Sequence, residues 1–267
     1  MRLHIDVHLD YALPAPADIL LQVEAAMMPD QTVIDDRLTI WSDTPIRSVE
    51  GYDGVGRRCW AHGVGRLTVH YRATVDVARP PVMLADYPST TPRMVPGAVT
   101  AYLMPSRYCQ SDRLEGFVRR RFAGLQGGAL AEALVAWIAR SIDYRSNSST
   151  GDTTALDTFA ARSGVCRDYA HLLVALARAG DIPARCVSAY APGVDPPDFH
   201  AVAELWLDGD WRLVDPTGMA HCQDLVRVCV GRDATDIAFM TIFGAATLLD
   251  QRVAVKSDRN ADAPASL

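Results

Sequence analysis

Nothing in the 267 residues approaches the run of roughly 20 apolar residues that a membrane-spanning helix requires. The start, Met1-Arg2-Leu3-His4-Ile5-Asp6, lacks the apolar segment of a secretory leader, because Asp6 and His8 interrupt it. The expectation is a cytoplasmic protein without a membrane partner. Cysteine is sparse and dispersed, at positions 59, 109, 166, 186, 222 and 229, with no CxxC pair. That pattern offers neither a disulfide framework nor a zinc motif, and it fits reduced thiols. Positive charge is not in excess: 26 Lys and Arg stand against 32 Asp and Glu, a net charge of −6. General nucleic-acid binding is thereby excluded, since affinity for phosphate rests on clustered cations. The densest basic run, Arg119-Arg120-Arg121, sits in an amphipathic pattern and reads as a solvated helix face. There is no internal repeat, no low-complexity stretch and no calcium-loop cluster of carboxylates, and no cofactor or metal is expected.

What is present supports two domains with a sizeable core, at 49% hydrophobic and 22% charged residues. The first third alternates as strands do, in His4 to Leu9, Thr32 to Ile34, Leu38 to Trp41 and, most clearly, Gly65 to Val75. Residues 1–110 therefore read as a β-sandwich-like domain. Its last part is a crossing segment in which Pro80, Pro81, Pro88, Pro92 and Pro96 deny helix and central strand. The period then becomes helical. Leu114, Phe117, Val118, Phe122 and Leu125 keep that spacing, as do Leu130, Leu134, Trp137 and Ile138 after Gly127-Gly128. Thr154-Ala155-Leu156-Asp157 has the form of a helix-start capping pattern.

A third helix is predicted to begin at Cys166, after Ser163-Gly164, and to end at Gly180 and Pro183. Cys166, Ala170, Leu173 and Ala177 share one face; Arg167, His171 and Arg178 fall on another. Strand-like Ala184 to Ala191 follows, then a loop at Asp195-Pro196-Pro197 and a hairpin of His200 to Leu207 and Trp211 to Val214 around Asp208-Gly209. Helices packed on an antiparallel sheet make the class α+β. The second domain is assigned to residues 111–256, and the Ala- and Asp-rich residues 257–267 to a disordered tail.

A cysteine in the first turn of a buried helix has its thiolate favoured by the peptide dipoles. Cys166 has that position. The base must come from elsewhere, because His171 stands about 140° and ~7.5 Å along the same helix. His200, opening a predicted strand, is the better candidate. Hairpin pairing sets Asp215 near it, where a carboxylate would orient the imidazole and stabilise its protonated form.

Ser163-Gly164-Val165-Cys166-Arg167-Asp168-Tyr169-Ala170 resembles the nucleophile motif of the transglutaminase-like superfamily, whose core is related to papain. Phe199-His200-Ala201 and Val214-Asp215-Pro216-Thr217 resemble its histidine and aspartate motifs, in the family's order. The link from Arg178 to Arg185 resembles the family's helix-to-strand connection, and the segment from Tyr102 to Tyr108 resembles the one that joins the N-terminal β domain of bacterial members to the catalytic core. The likeness covers about residues 100–245, and it departs from many members at Val202, where they carry tryptophan. The resemblance implies a catalytic triad of Cys166, His200 and Asp215 acting on an amide of a peptide or protein substrate. Attack by Cys166 gives a thioester. Water resolves it in a protease or amidase, a primary amine in a protein-crosslinking transglutaminase. Hydrolysis is favoured here because nothing in the chain marks an amine site. A rival of another class is a scaffold that keeps the fold without turnover.

Other conspicuous residues have simpler readings. His4 and His8 fall on the polar side of a strand rather than on a zinc-binding helix. His221, Cys222 and Cys229 match no ligand pattern. Arg167 and Asp168 either shape the site entrance or solvate the helix start, and Trp206 and Trp211 read as hairpin packing.

Overall fold

The computed structural model describes residues 1–258. The chain opens with β1 (Arg2–Leu21), β2 (Gln31–Ile40), β3 (Arg47–Glu50) and β4 (Arg57–Val77). β1 and β4 pair antiparallel along nearly their whole length, from Arg2 opposite Asp76 to Leu21 opposite Cys59. Leu3, Ile5, Val7 and Leu9 are buried on one side of β1, while His4, Asp6 and His8 face outward, as a period of two requires. These strands are far longer than the short runs of alternation foretell. β1 continues through Pro14 and Pro16 because its register with β4 shifts between Leu13 and Ala17, where the ladder asks for no proline N–H.

Residues 78–113 cross to the second lobe through short 3₁₀ turns and α1 (Gly97–Thr100). α2 (Glu115–Arg121) ends in the exposed arginine run. α3 (Gly127–Ser141) follows, and its first turn lies so close to the crossing segment that Gly128 N–H donates to Tyr87 O at 2.9 Å. The two-residue β5 (Asp143–Tyr144) leads to α4 (Ala155–Ala161), where Thr154 and Asp157 form the predicted reciprocal cap. Another two-residue strand, β6 (Ser163–Gly164), pairs parallel with β5 and delivers the chain into α5 (Cys166–Ala179).

Every residue of α5 from Asp168 to Arg178 is buried, its polar face included. Arg178 satisfies its guanidinium on Ala184 O, Met104 O, Ser106 Oγ and Arg232 O, at 2.8–3.1 Å. The helix packs on β7 (Ala184–Tyr190) and β8 (His200–Leu207), which with β9 (Asp210–Val214) and β10 (Val226–Gly231) make a four-stranded antiparallel sheet in the order β10-β7-β8-β9. Asp208 and Gly209, both at positive φ (53° and 74°), form the β8–β9 turn. Trp206 and Trp211 face each other across that hairpin, edge to face at 5.2 Å.

The chain then returns. After α6 (Ala234–Ile237), β11 (Met240–Phe243) pairs with Asp18–Leu21 of β1, and β12 (Thr247–Ser257) pairs with Leu3–Ala12. Residues 240–257 thus complete the N-terminal sheet, making six hydrogen-bonded strands, and do not belong to a second unit of residues 111–256. The reason is the outer edge of β1, a long row of peptide groups that needs a partner. Ser257, expected in the tail, is buried in β12; the rest of the expected tail, after Asp258, lies outside the described residues. No helix among the described residues is long and apolar enough to cross a membrane.

A buried ionic network joins the two sheets. Glu204 of β8, with no exposed surface, takes Arg185 at 2.7 Å and Arg227 at 2.6 Å. Arg185 also pairs with Asp53 at 2.9 Å, and Arg227 with Asp30, which is shared with Arg79. Asp30 and Asp53 lie in turns of the N-terminal part, so each arginine ties that part to the four-stranded sheet.

Candidate active site

Cys166 is half-buried at the first position of α5. The helix start is fastened by Asp168, whose Oδ2 accepts the Val165 N–H at 2.9 Å and whose Oδ1 accepts Ser149 Oγ–H at the same distance. Asp168 is fully buried, so it is neither a solvated helix residue nor part of the entrance; it fixes the turn that presents the thiol. Arg167 is tied back to Ser149 Oγ and Thr150 O, both at 2.6 Å.

His200, 1% exposed, opens β8 and bonds through Nε2 to Asp215 Oδ2 at 2.9 Å. Its other nitrogen, Nδ1, is buried without a hydrogen-bond partner, and Cys166 lies near enough to act on the ring's charge. Asp215 follows directly on β9. Oδ1 accepts the Thr217 N–H at 2.9 Å and its hydroxyl at 2.7 Å, while Oδ2 accepts the Ala220 N–H at 3.0 Å. The structure therefore brings the helix-borne cysteine, the strand-borne histidine and the turn-borne aspartate together.

The electrostatics follow the geometry. Burial alone would lower the His200 pKa; its interactions with Asp215 and Cys166, and their charges, outweigh burial and raise it from 6.5 to about 9. Burial would likewise raise Asp215, but the His200 and Thr217 bonds hold it below the usual carboxylate range. His200 is thus an imidazolium at neutral pH. Since its pKa is raised on folding, the stability it lends is full below about 6.5 and fades as pH climbs through about 9. In Asp215→Asn the supporting charge is gone and burial prevails, so the titration midpoint should fall. Imidazole NMR of ¹⁵N-histidine-labelled protein should give a His200 midpoint near 9 in the wild type and a clearly lower one in the variant. An unchanged midpoint would show that Asp215 does not set the ring's charge.

His171 is a core residue. It is fully buried, stacked on Tyr108 at 5.1 Å, and accepts the Ala234 N–H on Nε2 at 3.0 Å. Burial drives its pKa down to about 3, against the charge of Asp233, so it stays neutral. The fold also gathers two dispersed thiols beside it: Cys109, His171 and Cys186 lie within 4.8 Å of one another. The Ala234 bond occupies the Nε2 lone pair and leaves the proton on Nδ1, so neither nitrogen of this neutral ring is free to ligate a cation. On the far side of the N-terminal sheet, His4 and His8 do share the polar face, with His4 between Thr74 (3.3 Å) and Asp258 (2.9 Å).

Tyr144 has no motif of its own in the sequence. In β5 it lies opposite Gly164, two residues before Cys166. Burial, then the charge of Cys166, raise the phenol pKa. A tyrosine some twenty residues upstream of the cysteine could be found only by foreseeing that two-residue parallel pairing.

Fold and site together define a transglutaminase-like core. The model of the transglutaminase-like superfamily matches residues 124–216, a span that contains all three site residues. A crystal structure of a candidate cysteine protease from Cytophaga hutchinsonii superposes with a TM-score of 0.91 at 32% identity, covering 97% of this chain and 91% of that one. The chain belongs to the transglutaminase-like superfamily. It is also 31% identical over 146 residues to an uncharacterized protein of Mycobacterium leprae, and 29% identical over 200 residues to one of Mycobacterium tuberculosis. The matches cover 51% and 64% of this chain, and 52% and 62% of those curated relatives, so the chain accounts for only part of their length.

Proposed function

We propose that this protein is a thiol hydrolase of peptide-like amide bonds, a protease or amidase, with Cys166 as nucleophile, His200 as acid and base, and Asp215 as the orienting carboxylate. The observation that carries the reading is the buried His200–Asp215 pair set against a half-exposed cysteine at a helix N-terminus. The Cys166 sulfur attacks the amide carbon and forms a C–S bond. The imidazolium gives its proton to the nitrogen as the C–N bond breaks, releasing an amine. His200, now neutral, takes a proton from water; the resulting hydroxide attacks the thioester, the acid leaves, and Cys166 and the imidazolium are restored. The fold of a named candidate protease at 32% identity supports the same reading. All six cysteines are free thiols, in keeping with the cytoplasmic setting proposed for the chain.

The negative oxygen of the tetrahedral intermediate needs donors. The Cys166 N–H is one, and the hydroxyl of Tyr144, paired opposite Gly164 just ahead of it, is the second we assign. Tyr144→Phe is expected to lower kcat by about 10- to 10³-fold, with the rate of Cys166 alkylation unchanged. Equal loss in both would mean that Tyr144 acts on the thiol and not on the oxyanion.

The first test is selective alkylation. Burial pushes the Cys59 and Cys222 thiols up to about 11 and Cys229 to about 12. Iodoacetamide at pH 6, read by mass spectrometry, should therefore label Cys166 ahead of these, and His200→Ala should remove that selectivity. An inert Cys166 in both proteins would favour the scaffold. Turnover of a glutaminyl peptide with a labelled amine then separates hydrolysis from transfer. Release of free acid is expected to outrun conjugation, and the reverse would make the protein a transglutaminase. Lys256 is the chain's single lysine, so self-conjugation adds little background.

A further inference from the structure

Asp198 stands in the loop that enters β8, two positions ahead of His200. Its carboxylate is fixed. Oδ1 accepts the Phe199 N–H at 2.7 Å and Gln251 Nε2–H, from β12, at 2.6 Å. The loop beneath is anchored by Phe199, which stacks on Phe239 at 4.2 Å. Oδ2 has no donor among the described residues, and no cation of the described chain pairs with this side chain. That sets it apart from Asp6, Asp10, Asp30, Asp53, Asp76 and Glu204, each of which holds an arginine. Its charge acts on the phenols of Tyr11, from β1, and of Tyr144, which pairs with Gly164 two residues before Cys166. The carboxylate thus ties the N-terminal sheet to the loop that carries His200.

We propose that Asp198 is a specificity residue whose free oxygen binds a positively charged group of the substrate, an ammonium or a guanidinium, beside the Cys166 cleft. The proposal rests on the hydrolase reading above and names the substrate class for it. Burial raises the Asp198 pKa against the two bonds that hold it. A carboxylate oriented by neutral donors and paired with no cation offers its charge to a ligand and loses little freedom on binding. Tyr11 and Tyr144, on whose phenols its charge acts, are rings of a kind that attracts a cation. The N-terminal sheet thereby gains a part in recognition, because Gln251 is what aims the carboxylate. The cation has two sources: a basic residue of the peptide that is cleaved, or an amine that accepts the acyl group.

The test uses peptidyl chloromethyl ketones that differ only in lysine versus norleucine, with the variable residue placed at each of three positions before the reactive group. Asp198→Asn keeps an oxygen for Phe199 and Gln251 and removes the charge. The lysine reagent is expected to alkylate Cys166 roughly tenfold or more faster than the norleucine one at one position, and that ratio should collapse toward one in Asp198→Asn. The same peptides, as amides, are titrated calorimetrically into Cys166→Ala protein with and without Asp198→Asn. Lysine-dependent binding lost with the carboxylate supports the site even if no reagent labels Cys166, an outcome in which the hydrolase reading fails and this one stands. If peptides show no preference but the KM for cadaverine as acceptor rises in Asp198→Asn, the bound cation is the amine. Equal binding and equal labelling by lysine and norleucine peptides, with an unaltered cadaverine KM, would overturn the proposal.

Discussion

Cys166→Ser is expected to cut amide turnover by roughly 10⁴-fold or more while leaving the fold intact. The argument starts from the charge state of the neighbour. His200 is held as an imidazolium up to about pH 9 by Asp215 and by Cys166 itself. A thiol can give its proton to such a partner and rest as an ion pair; a serine hydroxyl, far less acidic, cannot. The ring would face a neutral alcohol with its own proton still in place, and no base would be at hand. Because Cys166 is half-exposed and its helix start is held by Asp168 and not by the thiol, the exchange should barely disturb packing. Turnover of a peptide substrate, with thermal unfolding measured alongside, checks both halves. Full activity in Cys166→Ser would remove the cysteine from the chemistry altogether.

Glu204→Ala is expected to lower stability by about 3–5 kcal/mol. Glu204 lies between Arg185 at 2.7 Å and Arg227 at 2.6 Å, and all three side chains are almost fully buried. Removing the carboxylate leaves two guanidinium groups out of water with only Asp53 and Asp30, at the edges of the network, to balance them. It also opens a void in the middle of β8, the strand that carries His200. Urea unfolding followed by tryptophan fluorescence measures the loss. Glu204→Leu together with Arg185→Met and Arg227→Met should recover much of it, since apolar replacement of a whole buried network is often near neutral. A loss under about 1 kcal/mol in Glu204→Ala would mean that water reaches the arginines.

The elements of the candidate site are largely legible in the chain because they announce themselves locally. Ser163-Gly164 before Cys166 reads as a turn into a helix, and Gly180 closes that helix. Asp208-Gly209 fixes the register of β8 and β9, with Ala203 opposite Val214, and so sets Asp215 near the strand that His200 opens. What could not be read was how each group is held. Asp168 looked like any acidic residue at a helix start, yet it is fully buried beneath Ser149. Glu204 sits in an apolar strand, and its arginines lie 19 and 23 residues away with no local sign of the pairing. Tyr144 is set just ahead of Cys166 by a two-residue parallel bridge and Asp198 is held by a bond from Gln251, and neither leaves a periodic trace.

By itself the sequence determined the class of fold, the helix that presents Cys166, the hairpin that pairs the strands of His200 and Asp215, and the chemistry those three residues are suited to. Each rests on neighbours within a few positions, where steric limits, capping and turn geometry act. Only the tertiary structure decided that residues 240–257 return to β1, that Pro14 and Pro16 fall at a register shift, and that Arg185 and Arg227 meet Glu204 between two sheets. Those outcomes depend on which distant surfaces bury one another and on the unpaired edge of β1. Energies of that kind belong to the packed chain as a whole and to no short segment of it.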